Sequence, residues 1–288
     1  MQAGSLIDLT LAQASLEGLP VSAREELRAQ ISALGVYVEG REEPAQDAPV
    51  KLYISHTADL LDKATCSQIL SPEVTKASRV RVFGLADAMV SDWQAAFECL
   101  RSTCSGTVEL CPSDKWGCAT GIVVEWLCGG YGNGCSSLFG EGTLAATEQV
   151  AAALIATLHG RNLTLEGLAS LRSTWESLGI QPVAAHAPVA GREIYYVESG
   201  VHVDGILKDP TNYEPLPPEA LGAQRAIILG KHSGRASIVY ELSRLGVTNA
   251  NDKLVRHLLA CVRKEAAKSS GVISQSRFRE LVCREITL

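Results

Sequence analysis

The stretch "RVRVFGLADAMVSDWQAAFECLRSTCSGTVELC" (residues 79–111) decides the fold class. RVRVFGL (79–85) reads as a strand, residues 91–103 as a helix, and TVELC (107–111) as the next strand. A strand, a helix and a strand in succession make a βα unit, so the two strands pair in parallel. The same rhythm holds on both sides. Upstream, SLIDLTL (5–11) alternates like a strand, and VKLYIS (50–55) reads as another. Between them Ser22 and Glu25 form an S-x-x-E capping box ahead of Leu27, Ile31 and Leu34, and Gly35 stops that helix. Polar VEGREEPAQDAP (38–49) reads as a loop and ADLLDKATCSQIL (58–70) as one helix. Downstream come a helix over 117–128, a strand at CSSLF (135–139) and a long alanine-rich helix at 142–160 that ends at Gly160. About five strands fit in the first 160 residues, too few for an eight-stranded barrel, which needs ~250 residues.

Beyond residue 160 the character changes. Residues 163–179 form one helix. Residues 180–235 are rich in Pro, Gly and His and read as mostly irregular, with a short strand at AIIL (226–229). Helices then fit 236–246, 251–268 and 274–285.

Composition narrows the function. With 288 residues, 46% apolar and 20% charged, the chain can bury a large core. The net charge of −6 and the lack of a Lys/Arg stripe argue against a nucleic-acid partner. No apolar run approaches ~20 residues, so no membrane span is expected. MQAGSLIDLTLAQ lacks the basic flank and apolar stretch of a signal peptide. Nine cysteines, an odd number without a CxxC pair, argue against a disulfide framework or a zinc cluster. They fit reduced thiols in a bacterial-type cytosol, used as small apolar core residues.

Two segments carry candidate chemistry. In "SGVHVDG" (199–205), read as extended, His202 and Asp204 point to the same side, so the carboxylate can orient the imidazole for acid–base work. Gly200 and Gly205 permit tight turns or close approach by a ligand. The plain alternative is a histidine satisfied by local hydrogen bonds. "LGKHSGRAS" (229–237) leads from a short strand into a helix, whose first amides, with Lys231 and Arg235 near, suit an anion. It lacks Walker A spacing, and a simple capped turn is the plain alternative.

Taken together, "SGVHVDGILKDPTNYEPLPPEALG" and, about fifteen residues on, "ILGKHSGRAS" resemble homocitrate synthase, of the isopropylmalate synthase group. The likeness covers most of residues 105–285, and LIDLTL resembles that family's first barrel strand. The resemblance implies an incomplete (β/α) TIM-barrel-like domain over residues 1–160. A mostly helical C-terminal region, 161–288, would follow it, with a lid segment at 180–235. It also implies a Claisen condensation of acetyl-CoA with a 2-oxo acid, favouring 2-oxoglutarate, and a setting in nitrogen fixation. His202 and Tyr213 match the family's catalytic histidine and tyrosine. Glu198 and Asp204 match further family positions, which implies that one or the other orients His202 for catalysis, and the loop Gly230, Lys231, His232, Ser233 and Gly234 matches throughout.

The barrel half departs from the pattern. D-T-T-L-R-D reads D-L-T-L-A-Q here, so Ala12 stands for the oxyanion-stabilising arginine and Gln13 for a metal-binding aspartate. The H-x-H pair becomes Cys111 and Ser113, and Thr147 replaces the asparagine of the last ligand region. Neutral or soft groups suit a hard Mg²⁺ or Mn²⁺ poorly. The expectation is that this chain holds no cofactor and that the cation sits on a homologous, barrel-bearing partner subunit. This chain would then resemble the alpha-type subunit of a split, cytoplasmic homocitrate synthase, inactive when isolated. Two other readings stay open: a non-catalytic regulatory pseudoenzyme, and a self-sufficient enzyme built on Cys111.

Overall fold

The computed structural model describes residues 4–40, 48–157, 159, 160, 162–268 and 271–286. The chain divides into two compact units, residues 1–191 and 192–288. The sequence reading places the break at 160; the structure keeps the next helix with the first unit.

The first unit runs β1 (Leu6–Asp8), α1 (Val21–Ser32), β2 (Tyr37–Val38), β3 (Val50–Ile54), α2 (Ala58–Leu61), α3 (Lys63–Ile69), α4 (Pro72–Lys76), β4 (Arg79–Gly84), α5 (Trp93–Thr103), β5 (Thr107–Pro112), α6 (Ala119–Cys128), β6 (Asn133–Ser136), α7 (Thr147–Ala156) and α8 (Leu168–Ser177). Six strands form one sheet in the order β2-β1-β6-β5-β4-β3, every pair parallel. The fold is α/β with an incomplete barrel, as expected, and has one strand more than the sequence suggested. That strand, β2, is two residues long, too short for any periodicity to show.

Alternation along β4 builds two layers. Val80 and Val82 face outward, into a core with Ile54, Val108 and Leu110 from neighbouring strands, Phe97 and Leu100 of α5, and Ile122 and Trp126 of α6. Phe97 packs edge-on against Trp126 at 5.0 Å. Arg79, Arg81 and Phe83 face the other way. There Arg81 donates to Glu39, just after β2, at 2.6 Å, and to Glu109 of β5 at 2.6 Å. Arg79 bridges the same two carboxylates at 3.1 and 2.8 Å. In a flat sheet β2 and β4 would stand roughly 19 Å apart, four strand spacings. Direct contact between them therefore means the sheet is rolled. The four charges close its interior, leaving β2 and β3 as its two edges.

Local chemistry explains where helices depart from the sequence reading. Residues 58–70 form two helices because Asp62 turns extended and caps α3 through Thr65 N at 2.9 Å. The expected capping box at Ser22 does not form: α1 begins at Val21, directly after Pro20, so Ser22 already lies inside it. The long helix expected from 142 begins only at Thr147, since Phe139, Gly140, Gly142 and Thr143 adopt left-handed backbone. Residues 41–47, within the loop expected at 38–49, lie outside the described residues. α8 packs within the first unit, where Gln30 of α1 donates to Thr174 at 3.1 Å and the Trp175 ring meets Phe139 at 5.5 Å.

The second unit contains β7 (Tyr196–Val197), α9 (Gly200–Lys208), β8 (Ala226–Ile227), β9 (Leu229–Gly230), α10 (Arg235–Arg244), α11 (Asp252–Ala266), β10 (Val272–Ile273) and α12 (Gln275–Ile286). β7 pairs in parallel with β8, and β9 runs antiparallel to β10. Its core joins Leu229, Ile238, Leu242, Val255, Leu258, Val262, Phe278 and Leu281. Among the described residues, no helix is long and apolar enough to cross a membrane.

Candidate functional site

The segment read as an extended turn, SGVHVDG, is helical: its seven residues supply the N-cap Ser199 and most of α9. This corrects the expected His202–Asp204 alliance. Two residues apart on a helix, side chains diverge by about 200°. Asp204 turns to Lys208, 2.6 Å away, and lines one cavity, of about 700 Å³. His202 faces another, of about 630 Å³, and does not line the first.

The His202 cavity brings most of the expected residues together. Glu198, His202, Tyr213 and His232 all line it, with Tyr195 and Glu214. After α9 the chain turns through a short 3₁₀ segment, Pro210–Asn212, which Asp209 caps by accepting from Thr211 N at 3.0 Å. That turn returns Tyr213 to the helix, its ring centroid 5.2 Å from that of His202. Gly205 makes room for it: a Cβ there would lie 2.4 Å from a Tyr213 ring carbon. Gly200 does the same for the loop, since its Cβ would lie 2.4 Å from the Gly234 Cα. These glycines thus serve close packing inside a helix rather than a turn.

Glu198 also departs from its expected role. Its Oε1 accepts the backbone N–H of His232 at 2.6 Å, so it holds the loop, not the imidazole. Gly230 permits this, because a Cβ there would fall 2.5 Å from Glu198 Oε1. Inside the loop, Gly230 N donates to the buried Ser233 Oγ at 2.8 Å, and the Ser233 carbonyl accepts from Arg263 Nη2 at 2.7 Å. Lys231 is exposed, and Arg235 is paired with Asp252 at 2.9 Å. The sequence reading missed Arg263, which lies on α11 with no local motif to mark it, and Tyr195, whose phenol burial and the nearby Glu214 push upward.

The barrel positions also converge. Ala12, Gln13, Cys111 and Ser113 line one cavity of about 460 Å³ with Lys51, Tyr53, Arg81 and Phe83. These four positions, drawn from two separate motifs, thus share one cavity. Their chemistry does not fit a hard divalent cation: an amide, a hydroxyl and a thiol stand beside two cationic side chains. Gln13 Nε2 is engaged by the Leu9 carbonyl at 3.1 Å. Thr147 lies elsewhere, its hydroxyl donating to buried Asp8 and sharing a hydrogen bond with Ser136 at 2.7 Å. Burial pushes the Asp8 carboxyl up despite the hydrogen bonds from Thr147 and Thr10. Cys111 is buried beside Cys135, whose thiol burial pushes up.

Comparison with known proteins finds relatives of one group. Residues 189–270 match the homocitrate synthase post-HMGL domain-like family. The chain is 30% identical over 186 residues to the homocitrate synthase omega subunit of Clostridium pasteurianum, covering 63% of this chain and 51% of that one. It is 40% identical over 142 residues to a probable 2-isopropylmalate synthase of Ignicoccus hospitalis, covering 48% and 34%. To the (R)-citramalate synthase CimA of Methanocaldococcus jannaschii it is 35% identical over 144 residues, covering 50% and 29%. The chain spans about half the length of these relatives or less. The sequence pointed to an alpha-type subunit, whereas the subunit matched here is named omega. The chain is thus related to the homocitrate synthase and isopropylmalate synthase family, and resembles a split subunit within it.

Proposed function

We propose that this chain is a subunit of a homocitrate synthase-type acyltransferase, completing in trans a site whose cation sits on a barrel-bearing partner. One observation carries the reading. His202 of α9 and Tyr213 share a cavity with His232, whose loop Glu198 holds, while the barrel positions Ala12, Gln13, Cys111 and Ser113 converge on a site unsuited to Mg²⁺ or Mn²⁺. A divalent cation on the partner would polarise the carbonyl of the 2-oxo acid, favoured as 2-oxoglutarate. His202 then exchanges the proton that leaves the acetyl methyl group or returns to the new alkoxide. The Tyr213 hydroxyl hydrogen-bonds the reacting oxygen. The open β2 and β3 edges call for cover, which a tightly bound partner supplies.

The test is co-purification with a full-barrel homologue, followed by release of free CoA thiol from acetyl-CoA and 2-oxoglutarate. The complex should turn over, and His202→Ala should abolish turnover without dissociating it. Unchanged turnover would replace this reading with the regulatory one. Turnover by the isolated chain would remove both.

A further inference from the structure

Cys66 of α3 and Cys99 of α5 face each other with their Sγ atoms 3.2 Å apart. That is about 1.1 Å beyond a covalent S–S bond. Both are half-buried and pack on the outer core of the rolled sheet. α3 contributes no fully buried residue, only the partly buried Cys66 and Ile69, so a shift of about an ångström toward α5 disturbs little packing. Neither residue belongs to the cavities described above. We propose that Cys66 and Cys99 form a reversible, peroxide-driven disulfide that ties α3 to α5. The inference is independent of the functional reading.

The chemistry balances with hydrogen peroxide as oxidant. A thiolate attacks one peroxide oxygen; the S–O bond forms as O–O breaks, and the leaving hydroxide takes up the thiol's proton as water. The second thiol attacks the sulfenic sulfur; S–S forms as S–O breaks, and a second water leaves. Two thiols lose two protons and two electrons, and one peroxide becomes two waters. Burial and the hydrogen bond with Cys99 push the Cys66 thiol up to about 11, so thiolate is scarce at neutral pH and the reaction is slow. The pair thus answers sustained rather than brief oxidation. Buried Cys104, at the end of α5, is the nearby competitor, its thiol also pushed up by burial.

The test treats the full folded chain with hydrogen peroxide, blocks remaining thiols with N-ethylmaleimide, and maps peptides without reduction. The expected result is one linked pair, Cys66–Cys99, reversed by dithiothreitol, with two of the nine thiols lost. Cys66→Ser and Cys99→Ser should each abolish it, and Cys104→Ser should leave it. The cross-linked chain should melt several degrees higher than the reduced one. A pair formed instead with Cys104, singly oxidised cysteines without a link, or a linked chain that melts lower would each overturn the proposal.

Discussion

The barrel unit and the helical unit use charge in opposite ways. Inside the rolled sheet, Glu39, Arg79, Arg81 and Glu109 are spent on one another. In the helical unit, His202 and Tyr213 face a cavity; Glu198 nearby holds loop backbone, and Glu214 is paired with Arg225, which lies outside the cavity lining, at 2.7 Å. A polar cluster that satisfies itself stabilises a fold, while one that leaves its acid–base groups facing open space is available to a ligand. The difference teaches that the first unit uses its buried charges as structure, while the second leaves an imidazole and a phenol facing a cavity.

The sharpest way to break that contrast is kinetic. In the mixed complex, His202→Ala should lower turnover by about 10²–10⁴-fold, the usual worth of general acid–base catalysis. Gln13→Ala, at the position expected from the resemblance to stand for a metal-binding aspartate, should change it less than about twofold; a comparable loss from both would erase the distinction. Next in size is stability. Arg81→Ala removes one of the two cations that pair the buried carboxylates of Glu39 and Glu109 and leaves Arg79 to hold both, costing about 3 kcal/mol in urea unfolding, the low end for a broken buried pair. Acid should act on the same cluster. Burial pushes the Glu39 carboxyl up, but Arg81 and Arg79 more than offset it, leaving it below the ordinary value of 4.5. Its share of stability is therefore present above about pH 4.5 and lost as pH falls through the lowered value.

Glu148 runs the other way. Burial raises its carboxyl to about 7, outweighing hydrogen bonds such as the one its Oε2 accepts from the Phe139 N–H at 3.0 Å. A raised carboxyl stabilises the fold below pH 4.5 and loses that contribution as pH climbs to about 7. Glu148→Gln should therefore stabilise the chain at pH 8 by about 3 kcal/mol relative to its effect at pH 4, read from melting curves at both. The smallest effect on stability is at Gly205. Alanine gains about 1 kcal/mol of helix propensity but meets the Tyr213 ring, an overpacking cost of about 1–3 kcal/mol. Net stability should move by less than about 2 kcal/mol, while turnover of the complex drops roughly tenfold as the ring is displaced. Unchanged turnover would separate Tyr213 from the reaction.

Most of the fold was legible because its strands are local events. Valines at 80 and 82 facing one way and arginines at 79 and 81 the other announce β4 without any knowledge of its neighbours. What was hidden depends on distant partners. The helix at 200–208 was masked by two glycines that read as turn formers, yet both are demanded by a neighbouring ring or loop. Glu198 looked like a candidate to orient His202 until His232, 34 residues on, was seen to claim it. The rolled sheet was invisible for the same reason: Glu39 meets Arg81 across 42 residues.

The position of β1 has a consequence for how the molecule is made. It precedes β2 to β6 in the chain, but it sits in the sheet between β2 and β6. Its bond to the last strand's neighbourhood, Thr10 to Leu138, closes a separation of 128 residues. A chain emerging from the ribosome can assemble β3, β4 and β5 by short crossovers while β1 and β2 wait, half-paired, for β6 to arrive. Such non-local pairing slows folding and prolongs exposure of unpaired strands. Removing the first eight residues would therefore not trim an edge; it would cut the sheet between β2 and the other four strands.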